Sequence, residues 1–183
     1  TETKEEMIAR LTKEGLDCNF SVYGNLASWA LNGQTLSFEY GKRTSITLRF
    51  RFLNLGLLNR TTIYRNEEPK FSPGFGLALR HYMTRKKGNL RGYFLGVVLE
   101  HHIFRAAQVE FDWLAGALVP SIETGYRWVV GRYVIGLGAG VGWAFQIYER
   151  YEYWFGYTTD EHYQGRASKG LVLDGNLEMG GVF

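Results

Sequence analysis

From Tyr133 to Phe145 the chain repeats with a period of two. Tyr133, Ile135, Leu137, Ala139, Val141, Trp143 and Phe145 share one parity, and Val134, Gly136, Gly138, Gly140, Gly142 and Ala144 share the other. Period two is the repeat of an extended strand, whose side chains point alternately to opposite faces. A helix would spread those glycines around its circumference and lose about 1 kcal/mol at each relative to alanine. The run therefore constrains the chain to β-structure with one apolar face and one nearly bare face.

The same period recurs along the chain. Leu36, Phe38 and Tyr40 alternate with Ser37 and Glu39; Ile46, Leu48, Phe50 and Phe52 with Thr47, Arg49 and Arg51. Phe75, Leu77, Leu79 and His81 alternate with Gly76, Ala78, Arg80 and Tyr82, and Tyr93, Leu95, Val97 and Leu99 with Phe94, Gly96, Val98 and Glu100. Ile122, Thr124, Tyr126 and Trp128 oppose Ser121, Glu123, Gly125 and Arg127. Near the end, Leu171, Leu173, Leu177, Met179 and Phe183 oppose Asp174, Asn176 and Glu178. With a first strand near Cys18 to Ser28, eight strands are predicted. Composition agrees: 16% aromatics and 23 glycines against 3 prolines suit strands better than long helices. One domain is expected from 183 residues, as a helical segment over 1–16 followed by a barrel over 17–183. The helical reading rests on Met7, Ile8 and Leu11 among charged neighbours, with Gly15 as a stop.

Short turns at Lys42–Thr44, Arg85–Asn89 and Val130–Gly131 alternate with long connections at about 58–70, 105–118 and 147–168; only the first connection, near Leu31–Gln34, is short where a long one is expected. An up-and-down barrel whose two ends face different surroundings has this asymmetry. Register offers a parity test, because a hairpin keeps the apolar faces of its strands together. The three turns predict Phe38 opposite Leu48, Leu79 opposite Leu95 and Tyr126 opposite Ile135.

Which face points inward separates a soluble, ligand-carrying barrel from a membrane one. Glycines facing water would expose bare backbone, whereas in a narrow eight-stranded interior they leave room for large side chains from other strands. Their face also carries Glu39, Arg49, Arg51, Arg80, Glu100, Glu123, Arg127, Asp174 and Glu178, of both signs. Such charges can pair in a confined lumen and would be costly there unpaired. An ion-paired plug is predicted rather than an open pore, with a narrow pore as the alternative. The apolar face carries Tyr40, Tyr93, Trp128, Tyr133 and Trp143 near strand ends, where rings suit a lipid–water interface.

Other classes are disfavoured. The longest mostly apolar uncharged stretch, 133–147, is shorter than the roughly 20 residues of a spanning helix. Cys18 is the only cysteine, so no disulfide framework or cysteine metal cluster is expected, and no cofactor or metal is predicted. A net charge of +3 is too balanced to indicate nucleic acid. Thr1 to Glu14 is polar and reads as the start of a mature or trimmed chain. The glycine run 136–142 lacks the Lys and Ser/Thr of a phosphate-binding loop.

Leu36–Tyr40 (LSFEY), Ala78–Met83 (ALRHYM) leading through a basic turn into Leu90–Gly96 (LRGYFLG), Gly125–Trp128 (GYRW) and Phe183 carry a resemblance. From about Asn19 to Phe183 the chain resembles small eight-stranded outer-membrane barrels of the OmpX and OmpA-transmembrane-domain kind. It looks closest to a bacterial outer-membrane barrel family known as a domain of unknown function. The resemblance implies a Gram-negative outer-membrane location, with outer-membrane lipid and lipopolysaccharide as surroundings. It also implies the outer-membrane assembly machinery as a partner, which would read Phe183, although Gly181 stands where that signal usually has a second hydrophobic residue.

Among four histidines, His101–His102 beside Glu100 is the one local cluster with catalytic potential, and adjacent strand positions face opposite ways. If the chain is a lipid-A-modifying hydrolase or acyltransferase, a reading the resemblance suggests, His102, Glu100 and Ser121 are the candidates; no catalysis is the preferred expectation. The segment Tyr148–Tyr163 holds Tyr151, Tyr153, Trp154, Phe155 and Tyr157 among acidic residues. Its rings could form an external surface for a ligand or partner. The alternative is that the flanking strands extend and the rings pack on them.

Overall fold

The computed structural model describes residues 3, 5–7, 9–10, 19–27, 33–53, 68–69, 72–83, 90–107, 111–153, 158–159 and 170–183. Among them the main strands are β1 (Phe20–Asn25), β2 (Gly33–Gly41), β3 (Thr44–Leu53), β4 (Ser72–Met83), β5 (Gly92–Ala107), β6 (Phe111–Val130), β7 (Tyr133–Tyr153) and β8 (Gly170–Val182). Each pairs antiparallel with the next, and β8 pairs back onto β1 through Ser21↔Val182 to Asn25↔Glu178. The result is a closed eight-stranded up-and-down barrel with no free edge in its ladder. Two-residue ladders, Glu68–Pro69 on β5 and Thr158–Thr159 on β7, extend the wall locally.

At the predicted Lys42–Thr44 turn the register is as expected, with Phe38 opposite Leu48, while the turn itself is Lys42–Arg43 because Thr44 already belongs to β3. Gly41 closes it at φ +149°, and a Cβ there would approach the Thr44 carbonyl oxygen to 2.3 Å. The other two registers differ from expectation by two. Leu79 faces Val97, and Leu95 faces His81, because the β4–β5 ladder continues to Met83↔Tyr93. Trp128 faces Ile135, and Tyr126 faces Leu137, because the turn falls on Gly131–Arg132, with Gly131 at φ +61°, one residue later than predicted. A one-residue displacement of a turn moves the pairing by two, so both faces keep their parity.

The first strand is shorter than predicted. Asn25 ends it: its side-chain oxygen accepts from the N–H of Ala27 and of Leu177, both at 3.0 Å, and its amide donates to the Gly175 carbonyl and the Asn176 side chain. The bond to Ala27 is an Asx turn, which competes with continued pairing. By contrast β5, β6 and β7 run much longer than predicted, and most of the expected connection at 105–118 is paired strand, with Ala107 opposite Asp112. Likewise β7 continues to Tyr153, paired with Phe111. A bulge between Gly116 and Ala117 leaves Ile147 without a partner and turns both Ile147 and Tyr148 outward.

Towards the N-terminus, Thr3 and Glu6 exchange side-chain-to-backbone hydrogen bonds, and Met7 N–H donates to the Thr3 carbonyl at 3.0 Å. This reciprocal pattern caps a helical turn, and its hydrogen bonds from Thr3 hold the Glu6 carboxyl below its ordinary pKa.

The barrel distributes its side chains against the usual sense of a globular fold. Ile46 (55% exposed), Leu77 (53%), Val97 (56%) and Leu173 (68%) stand for an outer surface of half-exposed aliphatics on every wall. Glu39 and Arg127, both at 0%, lie inside.

Candidate functional site

The interior follows from alternation: on each strand the residues between the apolar outward ones turn into a lumen too narrow for water-filled space. All nine charged residues singled out in the sequence point inward. Nearest the short turns, Arg127 donates to Glu39 at 2.5 Å and to Glu178 at 2.6 Å, while Tyr82 and Ser45 donate their hydroxyls to Glu39. At mid-height Arg80 joins Glu178 and Glu123, each at 2.6 Å, and donates to the Tyr23 hydroxyl at 2.8 Å. Arg49 reaches both oxygens of Glu123 through Nη2 alone, at 2.7 and 2.6 Å, whereas Arg80 Nε and Nη2 bind the same two oxygens at 2.6 and 3.1 Å in the forked geometry that makes Arg–carboxylate pairs strong. Further on, Arg51 binds Asp174 at 2.8 Å and Glu100 at 3.3 Å, and His102 Nε2 lies 2.7 Å from Glu100.

Four guanidinium groups thus face five carboxyl groups, and His102 stands on the fifth. Aromatic faces complete the cradle. The Arg80 guanidinium sits 4.5 Å from the Phe94 ring centre and that of Arg127 4.5 Å from the Tyr23 ring, within cation–π range.

Apolar side chains pack at the short-turn end of this polar column and along one of its walls. Towards the short turns, Tyr82, Leu90 and Phe94 pack into a fully buried plug. Leu90 holds φ +53°, a region that costs a bulky residue about 1 kcal/mol or more, so its burial outweighs local strain. Level with His102 and Glu100 in the β5–β6 register, the small residues Ala117, Val119 and Ala144 pack with Val172 on the β6–β7–β8 wall.

Glycines shape the space around the charges. A Cβ at Gly76 would come within 2.6 Å of Glu100 Cγ, one at Gly96 within 3.0 Å of Glu123, and one at Gly136 within 2.9 Å of a Glu178 oxygen.

Of the three residues considered for catalysis, the structure joins two. His102 and Glu100 are hydrogen-bonded and buried, but in the β5–β6 register His102 faces Ala117 and Ser121 faces Val98. Ser121 is therefore four positions away, about 13 Å along the strand. His101 turns the other way, its ring 6.2 Å from that of Tyr148. No cluster of metal-binding side chains occurs among the described residues.

Tyr40, Tyr93, Trp128, Tyr133 and Trp143 all face outward and exposed. The first four lie at the short-turn end, where Tyr93 meets Tyr126 edge-to-face and Tyr126 meets Trp128 at a tilt, both with 4.7 Å centroid separations, and Trp143 lies towards the other end. Phe183 is exposed beside Phe20, their rings 6.4 Å apart. The side chains of Tyr151 and Tyr153, and all of Trp154, Phe155 and Tyr157, lie outside the described residues.

Tyr23, Ser45, Tyr82 and Asn176 belong to the network although sequence reasoning gave them no role. The signal for Tyr82 and Asn176 was present, since both share the parity of the charges; Tyr23 required the parity of β1, which its short alternation does not fix. Comparison with protein-family models, curated proteins and solved structures finds no match to this chain.

Proposed function

We propose that this chain is an integral barrel of the bacterial outer membrane, of the OmpX and OmpA-transmembrane-domain kind, with a short N-terminal helix. Its lumen is closed by ion pairs, and its role is structural or to bind a surface ligand through the long connections. The observation that carries the reading is the inverted surface: exposed aliphatic and aromatic side chains on the outside of every wall around a charge network that is buried except at the partly exposed Asp174. A soluble monomer rarely exposes contiguous apolar patches beyond a few hundred Å², whereas here exposed apolar residues recur on every wall.

Dimensions support it. Tyr133 and Trp143 are outward residues ten positions apart on β7. That spacing is about 33 Å along a strand, or about 23 Å along the axis at a tilt of ~45°, close to the ~25 Å apolar band of an outer-membrane barrel. The aromatic residues then fall at its two borders.

The test is folding from denaturant into phosphatidylcholine vesicles. The expected result is β-rich circular dichroism only when lipid or detergent is present, with a folded band on gels whose mobility changes on boiling. Folding to a dispersed species in buffer alone overturns the proposal.

A further inference from the structure

Charge is distributed unevenly along the chain. Residues 40–47, 79–98, 124–148 and 179–183 contain no Asp or Glu, and their described parts include the short-turn end. The long connections mix signs: between 147 and 169, Glu149, Glu152, Asp160 and Glu161 accompany Arg150, Arg166 and Lys169.

At the short-turn rim the described cations are Lys42, Arg43, Arg91 and Arg132, of which Arg91 is half-buried and the others exposed. None has an ion-pair partner among the described residues. Backbone hydrogen bonds fix where they stand. Tyr82 N–H donates to the Arg43 carbonyl at 2.7 Å and Leu90 N–H to that of Lys42 at 3.3 Å, holding the Lys42–Arg43 turn against Leu90–Arg91. Val182 N–H donates to the Arg132 carbonyl at 2.9 Å, fixing the Gly131–Arg132 turn against the end of β8. Each cation follows an outward aromatic residue by one to four positions along the chain or precedes one: Tyr40 before Lys42, Tyr93 after Arg91, Trp128 before Arg132 and Tyr133 after it.

We propose that this rim is a binding site for the phosphodiester headgroups of anionic phospholipids in the leaflet it meets, an inference that rests on the membrane reading above. Aromatic rings at the border of the apolar band put the next residues outward at the level of lipid phosphates. Cations without a protein anion at that level attract the surplus negative charge of an anionic headgroup. Arg43, Arg91 and Arg132 add the planar fork that matches phosphate oxygens. A zwitterionic headgroup offers no net charge, so the site discriminates between lipid classes.

The test uses the full chain folded into vesicles of phosphatidylcholine and phosphatidylglycerol, with native mass spectrometry of the lipids retained on release. Phosphatidylglycerol is expected to be enriched about fivefold over its share of the vesicle at low salt, and the enrichment to collapse when vesicles are prepared in molar salt. In the K42Q/R43Q/R91Q/R132Q variant it falls to near unity while the boiling-dependent gel shift persists. If that variant does not fold, the salt dependence of the unmodified chain decides. A folded, inserted chain that retains both lipids in proportion to their supply, or whose enrichment is insensitive to salt, overturns the headgroup site alone. A chain that enters neither kind of vesicle overturns the membrane reading and the site with it.

Discussion

Removing the Arg127 guanidinium would leave Glu39 and Glu178 each short of a partner in a space that excludes water. Breaking one side of such a buried pair costs about 3–5 kcal/mol, whereas removing both partners together is often close to neutral. Arg127→Gln is therefore expected to lower stability by about that amount, and E39Q/R127Q by clearly less, since Glu178 keeps Arg80. Equilibrium urea unfolding in lipid or detergent measures both; equal losses in the two variants would contradict a paired network. At this scale the sequence was informative about membership and silent about pairing. Alternation alone assigns Glu39, Arg49 and Glu123 to the inner face, because side-chain parity is local. That Arg49 reaches Glu123 depends on register accumulated over several hairpins, and each hairpin can slip by two without disturbing parity.

Strands show where local reasoning holds and where it stops. Face assignment in β7 was legible because glycine and bulky residues alternate without interruption over Tyr133–Phe145. Its true end at Tyr153 was not, because past the Ile147 bulge the parity reverses and charged residues hide the alternation. The end of β1 at Asn25 depends on a side chain bonding across to Gly175 and Leu177, a contact no local pattern reveals. The two faces of β7 make a sharp prediction. Gly136→Val adds atoms beside Glu178 and is expected to destabilise by about 1–3 kcal/mol through overpacking. Ala139→Val, on the outer face of the same strand, is expected to change stability by less than ~0.5 kcal/mol. Comparable losses at both sites, read as shifts in the urea midpoint, would mean that the barrel's inner and outer faces have been misassigned.

For the whole molecule, the ion-paired interior and the Tyr82–Leu90–Phe94 cluster packed at its short-turn end support the proposed closed lumen. Planar bilayers containing the chain are expected to show no stable channels, and steady conductance would indicate a path through the network. Lipid A from cells with and without the chain is expected to have the same mass profile, whereas a changed acylation pattern would favour the enzyme built on His102 and Glu100. An arginine on the outer wall distinguishes lipid from water as surroundings. Leu77→Arg is expected to cost about 2–4 kcal/mol in a bilayer and little on a water-facing surface. Most directly, the central claim is tested by where the expressed chain resides after its membranes are washed with alkaline carbonate. An integral outer-membrane barrel stays in the membrane pellet and leaves only with detergent; recovery as a monodisperse folded protein in the detergent-free supernatant would contradict the membrane reading.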